Sequence, residues 1–242
     1  METMFDMPVH PDWGPFWSIW RDRAIKALSL AAADDSTPPV GAALRFLTRP
    51  CRSISVIILG QDPYPSRGVA TGRAFEAGNL RDWNEPFRQS SLKNIVRAVY
   101  RCYTGKTASF AEIRKMDQGD FPLLPPYRLF QSWEEQGVLL LNASLTCRVG
   151  CPGSHRALWR PFTEALVAFL DQTRGGALCW FLWGGDAASY GPLIRRGKIY
   201  RCRHPMMCGL DSPDDFLRCP CFAETADRID WRGLEQKDEN FA

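Results

Sequence analysis

The chain has 242 residues, of which 45% are hydrophobic, 24% charged and 12% aromatic. That balance supports one sizeable core, excludes a disordered or fibrous protein, and gives a single domain over residues 1–242 as the expectation. Thirty basic against 27 acidic side chains leave a formal charge of only +3, so an argument for a nucleic-acid partner must rest on local patches.

The opening stretch METMFDMPVH carries acids and a proline where a signal peptide needs basic residues and an unbroken apolar run. A cytoplasmic setting is therefore expected, or a nuclear one if the source is eukaryotic. The first apolar run, Ile54–Leu59, is rich in β-branched and aliphatic residues and stops abruptly at Gly60-Gln61-Asp62-Pro63-Tyr64-Pro65, which predicts a buried strand followed by a turn. Ser91 stands where it could cap a helix whose apolar stripe is Leu92, Ile95, Val96, Val99 and Tyr103. Residues 104–130, with Phe121, Pro122, Pro125 and Pro126, read as an irregular surface excursion. A second strand is predicted at Val138–Leu141, ending in Asn142-Ala143-Ser144-Leu145-Thr146, and Leu158, Phe162, Leu166 and Phe169 predict a helix after it. Leu178–Trp183 predicts a third strand that ends in Gly184-Gly185-Asp186. A shorter connector, Ala187–Arg195, leads to a fourth strand around Ile199–Tyr200, which ends in His204-Pro205. Glu235–Ala242 reads as a solvated tail. The longest apolar runs, such as Ala177–Trp183, are less than half of the roughly 20 residues that span a bilayer, so no membrane association is expected.

Nine cysteines is an odd number, and with no secretory signal it reads as a set of reduced thiols. Cys202, Cys208, Cys219 and Cys221 lie close in sequence without the paired C-x-x-C spacing of a zinc ribbon. Two readings stand: buried thiols acting as small hydrophobes, or a metal or iron–sulfur site.

Strands that alternate with helical connectors predict an α/β fold with a parallel sheet covered on both faces. In such a sheet the carboxyl ends of the strands converge on one crevice. Asp62, Asn142 and His204 should meet there, giving one carboxylate, one amide and one imidazole. The chain lacks a G-x-S-x-G elbow, a Walker A loop and an H-E-x-x-H helix, which excludes the commonest hydrolase and nucleotide-binding templates. Asp62 could orient water or stabilise a developing cation, or be an Asx-turn carboxylate with local work. Asn142 offers the donor and acceptor needed to read a pyrimidine edge. His204 could donate to an oxygen that becomes anionic as a bond breaks.

Gly60–Tyr64, then Phe75, then Leu139-Leu140-Leu141-Asn142-Ala143 with Leu145-Thr146, then Leu182-Trp183-Gly184, His204-Pro205 and Ile229-Asp230-Trp231 closely resemble the family-1 uracil-DNA glycosylases, over residues 50–234. The resemblance implies a three-layer αβα sandwich around a four-stranded parallel sheet. It also implies hydrolysis of the N-glycosidic bond of uracil in DNA without metal or cofactor, by a monomer. In that family the residue matching Asp62 positions water and stabilises the oxocarbenium-like sugar, and the one matching His204 stabilises the departing uracil anion. Those matching Gln61, Tyr64, Phe75 and Asn142 hold the base: Phe75 stacks on it, Asn142 reads its edge and Tyr64 excludes thymine's methyl group. The resemblance places Ser91, Gly184, Gly185, Met206 and Leu210 against DNA, with Leu210 as the wedge into the duplex and Met206 and Met207 competing for that job. Arg195, Arg196, Lys198, Arg201 and Arg203 are expected to form a basic edge beside His204.

The pattern departs from the family at four places. Pro65 stands where histidine is usual, Met206 and Gly185 where serines grip phosphate, and Asp214 where a basic residue is common. These departures leave open a glycosylase with a shifted pyrimidine substrate, or a noncatalytic module that binds DNA or uracil.

Overall fold

A computed structural model describes residues 7–209 and 212–234. Its centre is a sheet of four parallel strands, β1 (Val56–Gly60), β2 (Val138–Asn142), β3 (Cys179–Trp183) and β4 (Lys198–Cys202), in the order β2-β1-β3-β4. The first three are buried along their whole length, because helices cover both faces and leave no solvent side on which polar residues could alternate.

The pleat divides the side chains between two layers. Val56, Ile58, Val138, Leu140, Phe181 and Trp183 point into one, and Ile57, Leu59, Leu139, Leu141, Trp180 and Leu182 into the other. The first layer is completed by α2 (Ser90–Thr104) and α3 (Pro126–Glu135) with Phe216, Phe222 and Trp231. The second is completed by α1 (Gly14–Ala33) and α4 (Arg156–Arg174). The three-layer αβα sandwich implied by the resemblance is the fold observed.

Two sequence expectations are corrected, and one helix is unanticipated. Residues 104–130 are not an irregular excursion. Phe110–Ile113 forms a helical turn closed by a Ser109–Glu112 capping box, α3 begins at Pro126, and Phe110, Ile113, Phe121, Leu123, Leu129 and Phe130 are buried. A single turn is too short to show a period, and Pro126 reads as a breaker although proline suits a first helical turn. Ser91 is not a helix cap. Gln89 occupies the cap position, and Ser91 lies buried inside the first turn of α2. Helix α1 has no counterpart in the sequence reading, since it buries mainly small residues, Ala24, Ala27 and Ala31, with Phe16 and Leu28.

The nine cysteines are all free thiols. Cys221 is buried, and Cys202, Cys208 and Cys219 are partly buried against the first layer, as small hydrophobes would be. Among the described residues no group of three or more His, Cys, Asp or Glu side chains is arranged to hold a metal ion, and no helix is long and apolar enough to cross a membrane. The tail at 235–242 lies outside the described residues.

Register sets the site. Gly60 pairs with Asn142, Leu59 with Leu182, and Trp183 with Cys202, so the carboxyl ends of all four strands finish level. From β1 the chain crosses to β2 on one side, and from β3 to β4 on the other. The crevice therefore opens between β1 and β3, where ligands of open α/β sheets bind.

Candidate active site

The loop after β1 continues the ladder with β2, through Ala143 N–H to Gly60 O at 2.8 Å and Ser144 N–H to Gln61 O at 2.9 Å. It carries Asp62 into the crevice. Both Asp62 carboxylate oxygens are buried and accept no hydrogen bond from the described residues. Unpartnered buried carboxylate oxygens are rare, so the Asx-turn reading, in which these oxygens accept local N–H groups, is set aside. Beneath them Cys147 directs its thiol to Pro63 O at 3.6 Å. Burial, and secondarily the Asp62 charge, push that thiol up to about 11, so it is a neutral donor holding the turn.

Asn142 ends β2 and is buried. A Cβ at Gly60 would lie 2.6 Å from Asn142 Oδ1 and 3.2 Å from the Ala74 side chain. Gly60→Ala is therefore expected to displace the amide and weaken binding in this crevice while the protein still folds, and calorimetric titration with free pyrimidine bases, beside a melting curve, would check it. Wild-type affinity in that variant would remove Asn142 from the binding surface.

Phe75 supplies an aromatic wall. Its ring lies 5.4 Å from Trp183 and 6.0 Å from the His204 ring, both tilted. At φ 64° it is the one non-glycine residue with positive φ among the described residues, a backbone state that costs a bulky residue about 1–3 kcal/mol. Tyr64 donates to Phe75 O at 3.3 Å, and its hydroxyl oxygen lies 3.1 Å from Ser91 Oγ. Burial pushes the Tyr64 phenol up to about 12, so it remains neutral, with its hydroxyl held by two partners.

His204 follows β4. Its Nδ1 accepts the Met206 N–H at 3.1 Å, which assigns the ring proton to Nε2 and makes that edge a donor. Burial lowers the imidazole pKa, against a smaller raising effect from Asp186, so the ring is neutral at pH 7. Asn94 Nδ2 donates to Pro205 O at 2.6 Å and anchors the turn. Gly184, at φ 89°, is needed beside it, since a Cβ there would lie 3.0 Å from His204 Cβ.

These groups enclose a cavity of about 220 Å³ lined by Gln61, Asp62, Pro63, Tyr64, Pro65, Phe75, Ser91, Asn142, Pro152, His204 and Met206. That is smaller than the roughly 300–1,000 Å³ of drug-sized ligand sites. Another cavity of about 300 Å³, lined by Trp83, Phe110, Ile113 and Phe121, lies under α2 away from the strand ends. It is larger, but lacks the convergence of carboxylate, amide and imidazole.

The structure thus brings together Asp62, His204, Gln61, Tyr64, Phe75, Asn142, Ser91 and Met206, which are spread in sequence between positions 61 and 206. Ser91 stands inside the pocket against Tyr64. Gly184 packs beside His204 and caps a short helix, Gly185–Ala188, and both glycines lie outside the cavity lining. Met206 and Met207 are 65% and 63% exposed, so neither side chain is packed in the core. Leu210 lies outside the described residues. Pro152, which closes the cavity from the loop before α4, carries no sequence signal beyond being a loop proline.

The expected basic edge is corrected. Lys198 begins β4, at the opposite end of the sheet from His204, and pairs with Glu224. Arg195 and Arg196 lie farther back, where their N–H groups bind the buried Asp171 carboxylate. Arg201 lies over Gly191. Arg203 is near His204 but is paired with Asp214 at 3.1 Å.

A three-layer α/β fold that gathers a carboxylate, an amide and a neutral imidazole around one small aromatic-walled cavity suits the binding of a planar heterocycle. No family model matches the chain. It is 36% identical over 173 residues to a uracil-DNA glycosylase of Bovine herpesvirus 1.1, covering 71% of this chain and 72% of the relative. To one of Pectobacterium carotovorum it is 34% identical over 190 residues, covering 76% and 72%. The wild-type crystal structure of this enzyme type from Nitratifractor salsuginis superposes with TM-score 0.71 at 22% identity, over 95% of this chain and 94% of that one. The chain belongs to the uracil-DNA glycosylase family.

Proposed function

We propose that this protein hydrolyses the N-glycosidic bond between uracil and deoxyribose in DNA, leaving an abasic site. The observation that carries the reading is the convergence of the unpartnered Asp62 carboxylate, the buried Asn142 amide and the neutral His204 on one small cavity. A base inside a duplex cannot reach such a cavity, so the nucleotide is extruded into it, and stacking and edge hydrogen bonds offset the unstacking.

Phe75 then stacks on the ring while the Asn142 amide pairs with the uracil edge, one end donating and the other accepting. As the C1′–N1 bond lengthens, positive charge grows on the sugar and negative charge on the base. The Asp62 carboxylate stabilises the first and accepts the proton of the attacking water. The His204 Nε2–H donates to the uracil oxygen that takes the second. Uracil leaves as an anion held by that donor, and the sugar keeps the hydroxyl. No lysine lines the cavity among the described residues, which supports simple hydrolysis over an amine-linked intermediate and strand nicking.

Exposed Met206 and Met207, at the rim beside His204, supply the apolar surface that fills the vacated place in the base stack. Arg203, the basic residue next to His204 in sequence, is paired with Asp214, which supports modest phosphate attraction from that side chain. Thymine is refused by the Tyr64 ring, held by Phe75 O and Ser91. Tyr64→Ala is therefore expected to release thymine from T·A oligonucleotides while keeping uracil release, scored by alkaline cleavage of the abasic product. No thymine release from a folded, uracil-active variant would move the exclusion to another residue.

The function itself is tested with uracil-containing oligonucleotides, as single strand, U·A and U·G, followed by alkaline cleavage. Abasic product is expected with all three. Folded protein that binds these oligonucleotides and cleaves none would be a binding module instead, and product only from a 5-substituted pyrimidine would identify a shifted substrate.

A further inference from the structure

Phe75 is bracketed by a closed set of buried charges. Two residues before it, Arg73 directs Nη1 to both oxygens of Glu76 at 3.1 Å, and Nη2 to Glu134 Oε2 at 2.6 Å. Glu76, the residue after Phe75, also accepts from the Thr71 hydroxyl, and Thr71 Oγ1 in turn accepts the Arg73 N–H at 3.2 Å. Arg45 adds a second cation to Glu134 at 3.6 Å. The Arg73 and Glu76 side chains are only 10% and 6% exposed.

Such a network is a poor way to gain stability. The desolvation of buried ions offsets most of their attraction, and Arg73 Nε is buried with no hydrogen-bond partner among the described residues. Its placement is more informative. The two ionic residues flank the one described non-glycine residue with a left-handed backbone, a state that the surroundings must over-determine if it is to persist. Glu134 sits on α3, which leads through Gly137 directly into β2, the strand that ends in Asn142. Ala74 N–H joins the same strand at Leu140 O, 3.1 Å. The aromatic wall and the edge-reading amide are thereby tied to a single helix–strand unit.

We propose that Arg73 and Glu76 are positioning residues for base binding, an ionic clamp that holds the strained Phe75 turn in register with Asn142. The proposal rests on the uracil reading for the identity of the base, and not for the mechanics of the turn. The clamp acts through Phe75, so its effect on binding is bounded by what stacking on one aromatic ring contributes, roughly 5- to 150-fold.

The test uses the full-length protein and four variants, Arg73→Lys, Glu76→Gln, Phe75→Gly and Arg73→Lys/Phe75→Gly. The first two keep a charge or the side-chain shape, which favours folding. Two readouts are taken well below the melting temperature: inhibition of excision by free uracil, and amide hydrogen exchange. Arg73→Lys and Glu76→Gln are expected to weaken uracil inhibition about tenfold and to speed exchange at Ala74 and Phe75, with the β1 and β3 amides unchanged. In the Phe75→Gly background, Arg73→Lys should have no further effect on uracil inhibition, since interacting positions are not additive. Unchanged exchange at 74 and 75 overturns the clamp, and so does equal loss of protection across the whole sheet, or full additivity with Phe75→Gly. If the wild-type protein neither excises nor binds uracil, the functional reading fails, and the exchange arm alone decides the clamp.

Discussion

Asp62→Asn is expected to slow uracil release by about 10²–10⁴ while leaving affinity for uracil-containing DNA nearly unchanged. The substitution keeps the shape of the side chain and removes its charge and basicity. In the folded protein that charge occupies a buried turn where neither oxygen accepts a bond from the described residues, so its lone pairs face a water and a cationic sugar. An ion in low dielectric acts more strongly on a developing opposite charge than the same ion in water. Binding rests on other groups, the Phe75 ring, the Asn142 amide and the exposed methionines, and these do not depend on Asp62. Single-turnover excision measured beside fluorescence anisotropy with the same oligonucleotide separates the two quantities. Full activity in the variant would sink the assignment of Asp62 to the chemistry. Equal loss of binding and turnover would show that it holds substrate, and does not act on the bond.

Much of this arrangement is legible in the sequence because parallel strands buried on both faces are continuous apolar runs, and the turn residues after each run are the ones delivered to the crevice. Ile54–Leu59 and Val138–Leu141 each miss their strands by a residue or two at the ends, yet their turns still locate Asp62 and Asn142. Less legible are features that depend on direction and on small side chains. Arg195, Arg196 and Lys198 are near His204 in sequence, but β4 rises about 3.3 Å per residue between them, which carries them to the far end of the sheet. The alanine face of α1 carries no strong apolar stripe, although it buries well. Ser91 shows a different limit. Its position before an apolar stripe reads as a cap, whereas its hydroxyl meets Tyr64, 27 residues away, only after α2 has packed on the sheet.

Removing the imidazole should slow excision almost as much. His204→Ala is expected to lose about 10²–10³ in rate, the size of a single donor aimed at a developing oxyanion. A neutral imidazole suits this role, because it donates from Nε2 without being acidic enough to give up its proton to the departing base. The chain enforces neutrality twice: burial lowers the pKa below its ordinary 6.5, and Nδ1 is already the acceptor for Met206 N–H. Acidification must therefore place a proton on Nδ1 and expel that N–H. Because the folded value lies below the unfolded one, the unfolded chain binds more protons between the two. The stability supplied by neutral His204 is complete above about 6.5 and is lost as pH falls from there toward the folded value. The donor itself should persist unchanged over the same neutral range. Nitrogen-15 chemical shifts of the His204 ring, followed from pH 8 downward, should show Nε2 protonated and Nδ1 bare, with a midpoint below 6.5. A ring that titrates above that value, or carries its proton on Nδ1, cannot be the neutral donor to uracil.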